Sequence, residues 1–270
     1  MGRTQGGKSR ALRRIAAVGA AVAATAAAAP AANAAQQPTP RILGGAEVGQ
    51  GQASWVMAIT DSSGKHFCGG ALVSPTKVVT AAHCAVSPVG GVVRPASDFR
   101  VVGGRVDLRT AQGEVRQVER VWVPPTYRHY TEGDDIAVFT LRAPMPQRPV
   151  PLVEAADTEV YRPGALGRVY GWGTTSEGGP GSPTLRSVAL PVVPDGACQQ
   201  AYPSFAPTSM FCAGYPEGGK DACAGDSGGP FVVNGRLAGV VSFGTGCGRP
   251  GMPGVYTRVA GFLPELSEQL

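Results

Sequence analysis

Residues 225 to 230 read Gly-Asp-Ser-Gly-Gly-Pro, which sets Ser227 between glycines with a carboxylate directly before it. Glycines there let the backbone turn tightly and aim neighbouring N–H groups at one spot, as an oxyanion requires. A glycine-rich hexapeptide is also common turn material, so the serine needs partners before it reads as a nucleophile. A hydroxyl attacks only when an adjacent base removes its proton, and that base works best when a carboxylate fixes its tautomer. Thr80-Ala81-Ala82-His83-Cys84 offers the base, at the end of an apolar strand and beside a cysteine able to staple the turn. Asp134-Asp135-Ile136-Ala137-Val138-Phe139 offers the carboxylate, just before a run that reads as buried. His83, Asp135 and Ser227 follow one another in one of the recurring triad orders.

The elements that must position them are strands. From Ile42 to Leu270 the chain is rich in Gly and Pro, with short Val-rich runs and almost no helical periodicity. That is an all-β pattern. Strands are predicted over 55–60, 70–74, 78–81, 99–102, 136–141, 165–170, 229–233, 236–242 and 254–258. The stretch Ala143 to Pro151 carries four prolines, cannot sustain a central strand, and reads as a crossing between two β-rich halves. Phe262, Leu263, Leu266 and Leu270 fall at helical spacing, with Pro264 tolerable in a first turn, so a short closing helix is expected.

The first 35 residues are basic, lack acidic residues and contain an apolar run from Ile15 to Ala29 ending in Ala32-Asn33-Ala34. They read as a secretory signal peptide, too short for a membrane span, and place the protein outside the cell. Arg13-Arg14 leaves a twin-arginine route open, although general export fits the ordinary basic leader better. Residues 1–41 hold six of the 24 basic residues and none of the 19 acidic ones, leaving 18 against 19 from Ile42 onward. The basic balance therefore belongs to the leader, and nucleic acid or an anionic membrane loses its support as a partner. All six cysteines (Cys68, Cys84, Cys198, Cys212, Cys223, Cys247) follow the leader, and an even count in an exported chain points to three disulfides. Arithmetic leaves fifteen pairings open. No Cys-x-x-Cys pair occurs and His66, His83 and His129 are the only histidines, so a metal site is not expected.

With those segments in that order, the chain resembles the chymotrypsin-fold serine peptidases, and specifically the trypsins secreted by actinomycete-type bacteria. The resemblance runs from Ile42 to about Leu263. Five segments carry it: Arg41 to Gly45, Thr80 to Cys84, Asp135 to Ala137, Asp221 to Pro230, and Val241 to Gly244 with Pro253 to Tyr256. It implies two six-stranded antiparallel β-barrels with the active site between them and a short C-terminal helix. The implied layout is a signal peptide over 1–35, an activation propeptide over 36–41, and a peptidase domain over 42–270. Within that domain the N-terminal barrel would cover about 42–145, the C-terminal barrel about 150–258, and the helix about 261–270.

Position by position, the resemblance makes Ser227 the nucleophile, His83 the general base and then acid, and Asp135 the group that orients His83. The N–H groups of Gly225 and Ser227 would form the oxyanion hole. Asp134 becomes a solvated neighbour. Asp221 would floor the pocket for the side chain before the cut bond, with Ala222, Ser242, Phe243, Gly244 and Gly254 as further substrate-binding residues. A buried carboxylate there calls for a cation, so cleavage after Arg or Lys is expected. Ala222 stands where many trypsins have serine; a compact ammonium loses a partner, whereas a guanidinium still forks with a carboxylate, which favours Arg. Glu132 is expected to face the next subsite.

Cleavage after Arg41 would free the Ile42 ammonium to insert beside Asp226, and Thr39-Pro40-Arg41-Ile42 is itself a site for an Arg-directed enzyme. The implied disulfides are Cys68–Cys84, Cys198–Cys212 and Cys223–Cys247. No cofactor is implied, and Gly104-Arg105-Val106-Asp107 puts an arginine where animal trypsins would have a calcium ligand. His66 resembles a histidine that locks the precursor aspartate, but Ala58 occupies its partner's position, so a structural, hydrogen-bonded role is expected; His129 reads as a surface-loop residue. The implied protein is a secreted monomer acting on proteins and peptides and subject to protein inhibitors. An inactive homologue used for binding is the alternative, and an α/β-hydrolase esterase is excluded by the absent Gly-x-Ser-x-Gly elbow.

Overall fold

The computed structural model describes residues 42–270, so the expected signal peptide, the propeptide and Arg41 lie outside the described residues. Six strands close into an antiparallel barrel in the order β2-β3-β4-β7-β6-β5. They are β2 (Val56–Asp61), β3 (His66–Ser74), β4 (Lys77–Thr80), β5 (Phe99–Gly103), β6 (Glu114–Trp122) and β7 (Ala137–Leu141). Inward residues such as Ile59, Leu72, Val79, Phe99 and Phe139 are fully buried and fill it. β6 (EVRQVERVW) was not expected, because alternating charged residues leave Val118 as its only fully buried position. A strand with one wet face carries no continuous apolar run.

The second half differs in detail from a six-stranded barrel. Its sheet has seven strands in the order β1-β9-β8-β11-β12-β13-β10. These are β1 (Ala46–Glu47), β8 (Leu166–Gly171), β9 (Arg186–Pro191), β10 (Met210–Ala213), β11 (Pro230–Val233), β12 (Arg236–Phe243) and β13 (Gly254–Arg258). The six strands from β9 to β10 curl until their ends meet at one bridge, Val192 to Ala213. Hydrogen bonds from Val193 N to Cys212 O and from Gly214 N to Pro191 O, each 2.9 Å, hold that seam. Pro191 and Pro194 lack N–H donors, which keeps the closing ladder short. β1 is an additional edge strand on β9.

Residues 142–151 contain no strand, as their prolines require, although two of them, Met145 and Val150, are buried. The closing helix α3 spans Leu263–Gln269, follows a 3-10 turn over Val259–Phe262 and has Pro264 in its first turn. Two further helices were not expected, the four-residue α1 (Ala82–Ala85) and α2 (Asp195–Ala201), which buries Cys198 alone and so has no apolar stripe. The disulfides are Cys68–Cys84, Cys198–Cys212 and Cys223–Cys247. None joins the barrel to the second sheet.

Candidate active site

β4 and β7 pair with Thr80 opposite Ala137. Because they run antiparallel, the residues after Thr80 and those before Ala137 leave the barrel at the same end, which brings His83 of α1 beside Asp135. Gly133 and Asp134 adopt positive φ of 102° and 57° in the turn that aims Asp135 inward. A Cβ on Gly133 would stand 2.6 Å from Ser209 Oγ, so that turn needs glycine. The Cys68–Cys84 bridge ties α1 back to β3.

Asp135 is 1% exposed, and each carboxylate oxygen is occupied. Oδ1 accepts the His83 backbone N–H at 2.9 Å, and Oδ2 accepts His83 Nδ1 at 2.8 Å and Ser242 Oγ at 2.5 Å. Thr257 Oγ1 donates to the Asp135 carbonyl at 2.6 Å. Burial opposes charge on both partners, yet mutual attraction and these hydrogen bonds hold the Asp135 pKa below, and the His83 pKa above, their ordinary values. An ionised Asp135 that accepts from Nδ1 leaves the outer His83 nitrogen as the basic one.

Ser227 sits in the turn before β11. Its carbonyl accepts Gly69 N–H from β3 at 2.7 Å, and Gly228 N–H donates to Val241 O at 2.8 Å. Gly225 has φ 94°, and a Cβ on Gly228 would meet Thr80 Oγ1 at 2.2 Å, so both glycines are required by the chain's path. Among the described residues the N–H groups of Gly225 and Ser227 donate to no protein acceptor, which leaves two donors one residue apart. No hydrogen bond joins Ser227 Oγ to His83 among the described residues, although both line one cavity; such contacts tighten when substrate is bound.

That cavity measures about 390 Å³ and runs from His83, Tyr130 and Ser227 past Ser242, Phe243, Gly244 and Gly254 to Asp221. Asp221 is 3% exposed. Its Oδ2 accepts Gly248 N–H at 2.9 Å, while Oδ1 is buried without a partner, as is Tyr256 Oη. Burial pushes the Asp221 carboxyl up to about 7, against the pull of the Gly248 and Ala222 N–H groups and with a further push from Asp226. A Cβ on Gly254 would stand 2.7 Å from Asp221 Oδ1 and 3.2 Å from Tyr256 Oη. This end of the cavity stays open only because that residue is glycine.

Asp226 is fully buried; Gly173 N–H and Cys223 N–H donate to its two oxygens at 2.8 and 2.9 Å. Burial, outweighing those two bonds, pushes it up to about 6. Ile42 is also fully buried, and Leu43 O accepts the Asp221 N–H at 3.1 Å. The segment after Arg41 is thus bonded directly to the residue at the cavity's buried end.

A family description, "Trypsin", matches residues 42–265. The chain is 45% identical to a trypsin from Saccharopolyspora erythraea over 229 residues, 85% of this chain and 98% of that protein. It belongs to the trypsin family. A trypsin from Squalus acanthias is 36% identical over 85% of this chain and 96% of its own. A vitellin-degrading protease from Bombyx mori is 39% identical over 88% of this chain and 90% of its own. The protein is therefore a serine endopeptidase whose substrates are proteins and peptides.

Several expectations for this trypsin-family chain change at the level of side chains. Ser242 lines the cavity, and its hydroxyl is engaged by Asp135. Glu132 is exposed and does not line the cavity; Tyr130, two residues earlier, does. The Tyr130 ring lies 5.7 Å from the rings of both His83 and Phe243, and Phe243 packs edge-on against Tyr202 at 5.4 Å. Tyr130, Tyr256 and Thr257 were not legible because an aromatic or hydroxyl residue inside a loop or strand has no spacing signal of its own. His66 is only partly a satisfied residue: it bonds the Cys68 backbone, but Nε2 is buried without a partner, and burial lowers its pKa to about 4. His129 is exposed and accepts Thr131 N–H, in keeping with a loop role.

Proposed function

We propose that this peptidase cuts after Arg, and less efficiently after Lys, with Ser227 as nucleophile, His83 as base and then acid, and Asp135 as the group that orients His83. The supporting observation is the unpartnered Oδ1 of Asp221, buried in the cavity that also holds His83 and Ser227. A buried carboxylate oxygen without a donor is costly, and a guanidinium answers it with two parallel N–H bonds. Ala222 lines the same cavity without a hydroxyl, so a lysine ammonium finds one donor-hungry group fewer than it needs.

His83 takes the Ser227 proton on the nitrogen not bonded to Asp135 as Oγ attacks the carbonyl carbon. The new oxyanion falls to the N–H groups of Gly225 and Ser227. His83 then returns the proton to the leaving amine, and water repeats the sequence on the acyl-enzyme. Asp135 remains ionised throughout, held by the three hydrogen bonds to its carboxylate.

The leader supports export, and cleavage after Arg41 supports maturation. Freed at Ile42, the new ammonium would answer the fully buried Asp226, while Leu43 O fixes the Asp221 backbone. The precursor's own Arg41-Ile42 bond fits the specificity, so maturation can be autocatalytic. Measuring kcat/KM of the matured protein on matched Arg, Lys, Phe and Ala peptides tests the assignment. Arg above Lys, with Phe and Ala near background, is expected; equal Arg and Lys values refute the preference, and a favoured Phe refutes the pocket. Loss of labelling by a serine-directed phosphonylating reagent in Ser227→Ala tests the nucleophile.

A further inference from the structure

Three residues of one loop, Gly244, Gly246 and Cys247, line the cavity, and Gly248 beside them donates its N–H to Asp221 Oδ2 at 2.9 Å. The loop reads Gly-Thr-Gly-Cys-Gly-Arg-Pro-Gly over 244–251, and Gly246 and Gly248 hold positive φ of 72° and 61°. Such a sequence has little rigidity of its own, because glycine loses more freedom on ordering than any other residue. From Gly244 to Arg249 no N–H donates to a backbone carbonyl among the described residues. What holds this wall in place must therefore reach it from elsewhere in the chain.

The Cys223–Cys247 bridge fixes one point of the loop. Tyr202 Oη accepts the Thr245 N–H at 3.2 Å, and Gly248 O accepts the Gly219 N–H at 2.8 Å. A further anchor comes from the separate loop that carries Glu177. Arg249 Nε donates to Glu177 Oε2 at 3.1 Å and Arg249 Nη2 donates to Glu177 Oε1, a fork of two bonds between planar groups. The fork holds the Glu177 carboxyl below its ordinary value, and the Cys247 N–H acts in the same direction. Glu177 thus acts on residues to either side of Gly248.

The loop that carries Glu177 is itself fastened beside the cavity. Thr174 N–H donates to Ala224 O at 2.8 Å, and Thr174 Oγ1 donates to Cys223 Sγ at 2.8 Å. Thr174 and Gly181 pair at the base of the loop. Cys223 and Ala224 both line the cavity, so residues 174–177 run from one lining segment to the loop that forms another. Neither Glu177 nor Arg249 lines the cavity, and their side chains are 46% and 53% exposed. An exposed ion pair contributes little to the stability of a whole fold, so its effect falls on the loop it restrains.

We propose that Glu177 and Arg249 are positioning residues for substrate: their fork holds the loop 244–249 so that the cavity wall is formed before substrate arrives and the Gly248 N–H stays on Asp221. The inference rests on the reading of Asp221 as the group that receives the substrate cation. Ordering a loop during binding costs affinity, so a wall already in place lowers KM and leaves kcat alone. Protonation of Asp221 responds as well, because the Gly248 N–H pulls that carboxyl down against burial. A loosened loop weakens the pull and moves the pH midpoint of cation binding up. The other titratable groups that act on Asp221 are Asp226, Tyr202 and Tyr256, and breaking the fork leaves them in place. Charge by itself acts differently. Loss of Glu177 would weaken attraction for a cationic substrate and loss of Arg249 would strengthen it, whereas a broken fork moves both variants the same way.

The test compares matured wild-type protein with Glu177→Gln, Arg249→Gln and the double variant on matched Arg and Phe peptides. For the Arg peptide, KM should rise about fivefold in each single variant with kcat within about twofold of wild type, and the double variant should be no worse than either single one. Thermal unfolding should stay within about 3 °C of wild type, as an exposed pair requires. Calorimetric titration of the corresponding Ser227→Ala proteins with an end-blocked arginine peptide from pH 5 to pH 8 should show the binding midpoint moved up in both single variants. KM values that move in opposite directions, a change below about twofold, a fall in kcat in place of a rise in KM, or additive effects in the double variant overturn the proposal. A larger loss of Tm also overturns it, by making the pair a brace of the whole fold. If wild-type protein does not favour the Arg peptide over the Phe peptide, the reading of Asp221 fails; if it does and the variants behave otherwise, only the fork's role fails.

Discussion

Ligand binding at Asp221 should be coupled to proton release. Burial raises its carboxyl to about 7 in the empty cavity, so near neutrality about half the molecules carry a protonated, uncharged Asp221. A guanidinium requires the ionised form, and the apparent dissociation constant therefore scales as one plus the ratio of protonated to ionised carboxyl. Between pH 8 and pH 5 that factor rises by about 10²-fold, near 2.7 kcal/mol, whereas an unperturbed carboxyl would change it by less than about 1.1-fold. The sign is fixed by the raised pKa: affinity is complete above about pH 7 and is lost as the pH falls below it. The assay is calorimetric titration of matured Ser227→Ala protein with an end-blocked arginine peptide at pH 5, 6, 7 and 8, repeated in buffers of different ionisation enthalpy. Near pH 6, binding should release close to one proton. A change in affinity below about threefold across this range would mean that Asp221 is already ionised when empty. If an Asp221→Asn protein kept the pH dependence, another group would be responsible.

Gly254→Ala places a methyl 2.7 Å from Asp221 Oδ1, so kcat/KM on Arg peptides should fall by about 10²-fold or more while labelling of Ser227 by a phosphonylating reagent persists. A fall below fivefold would show that substrate does not reach Asp221. Maturation should stabilise the fold more at pH 7 than at pH 4. With Asp226 raised to about 6, the uncleaved chain loses about 1.4 kcal/mol per pH unit between about 4 and 6, a loss that the Ile42 ammonium removes by keeping the carboxylate paired. Thermal unfolding of cleaved and uncleaved Ser227→Ala protein measures this, and a pH-independent difference in Tm would separate Ile42 from Asp226.

The sequence alone determined a great deal, because the chemistry sits in short, locally constrained segments. Gly225 and Gly228 are required by backbone geometry, so their neighbourhood marked Ser227 before any fold was known. All nine Val-rich or Gly-bounded strand expectations fall on real strands, since a buried strand writes its burial into consecutive residues. The strands that stayed hidden are the polar β6, the two-residue β1, and β9 and β10, short runs bounded by Pro191 and by Gly214 that carry no Val-rich stretch. Tertiary structure alone decided that Thr80 lies opposite Ala137, and with it that His83 reaches Asp135. It likewise decided that the Ser242 hydroxyl serves Asp135, that Tyr130 rather than Glu132 walls the cavity, and that one oxygen of Asp221 has no partner. Each is a meeting of side chains from separate loops and strands, set by register and packing density, and no spacing along a single chain records it.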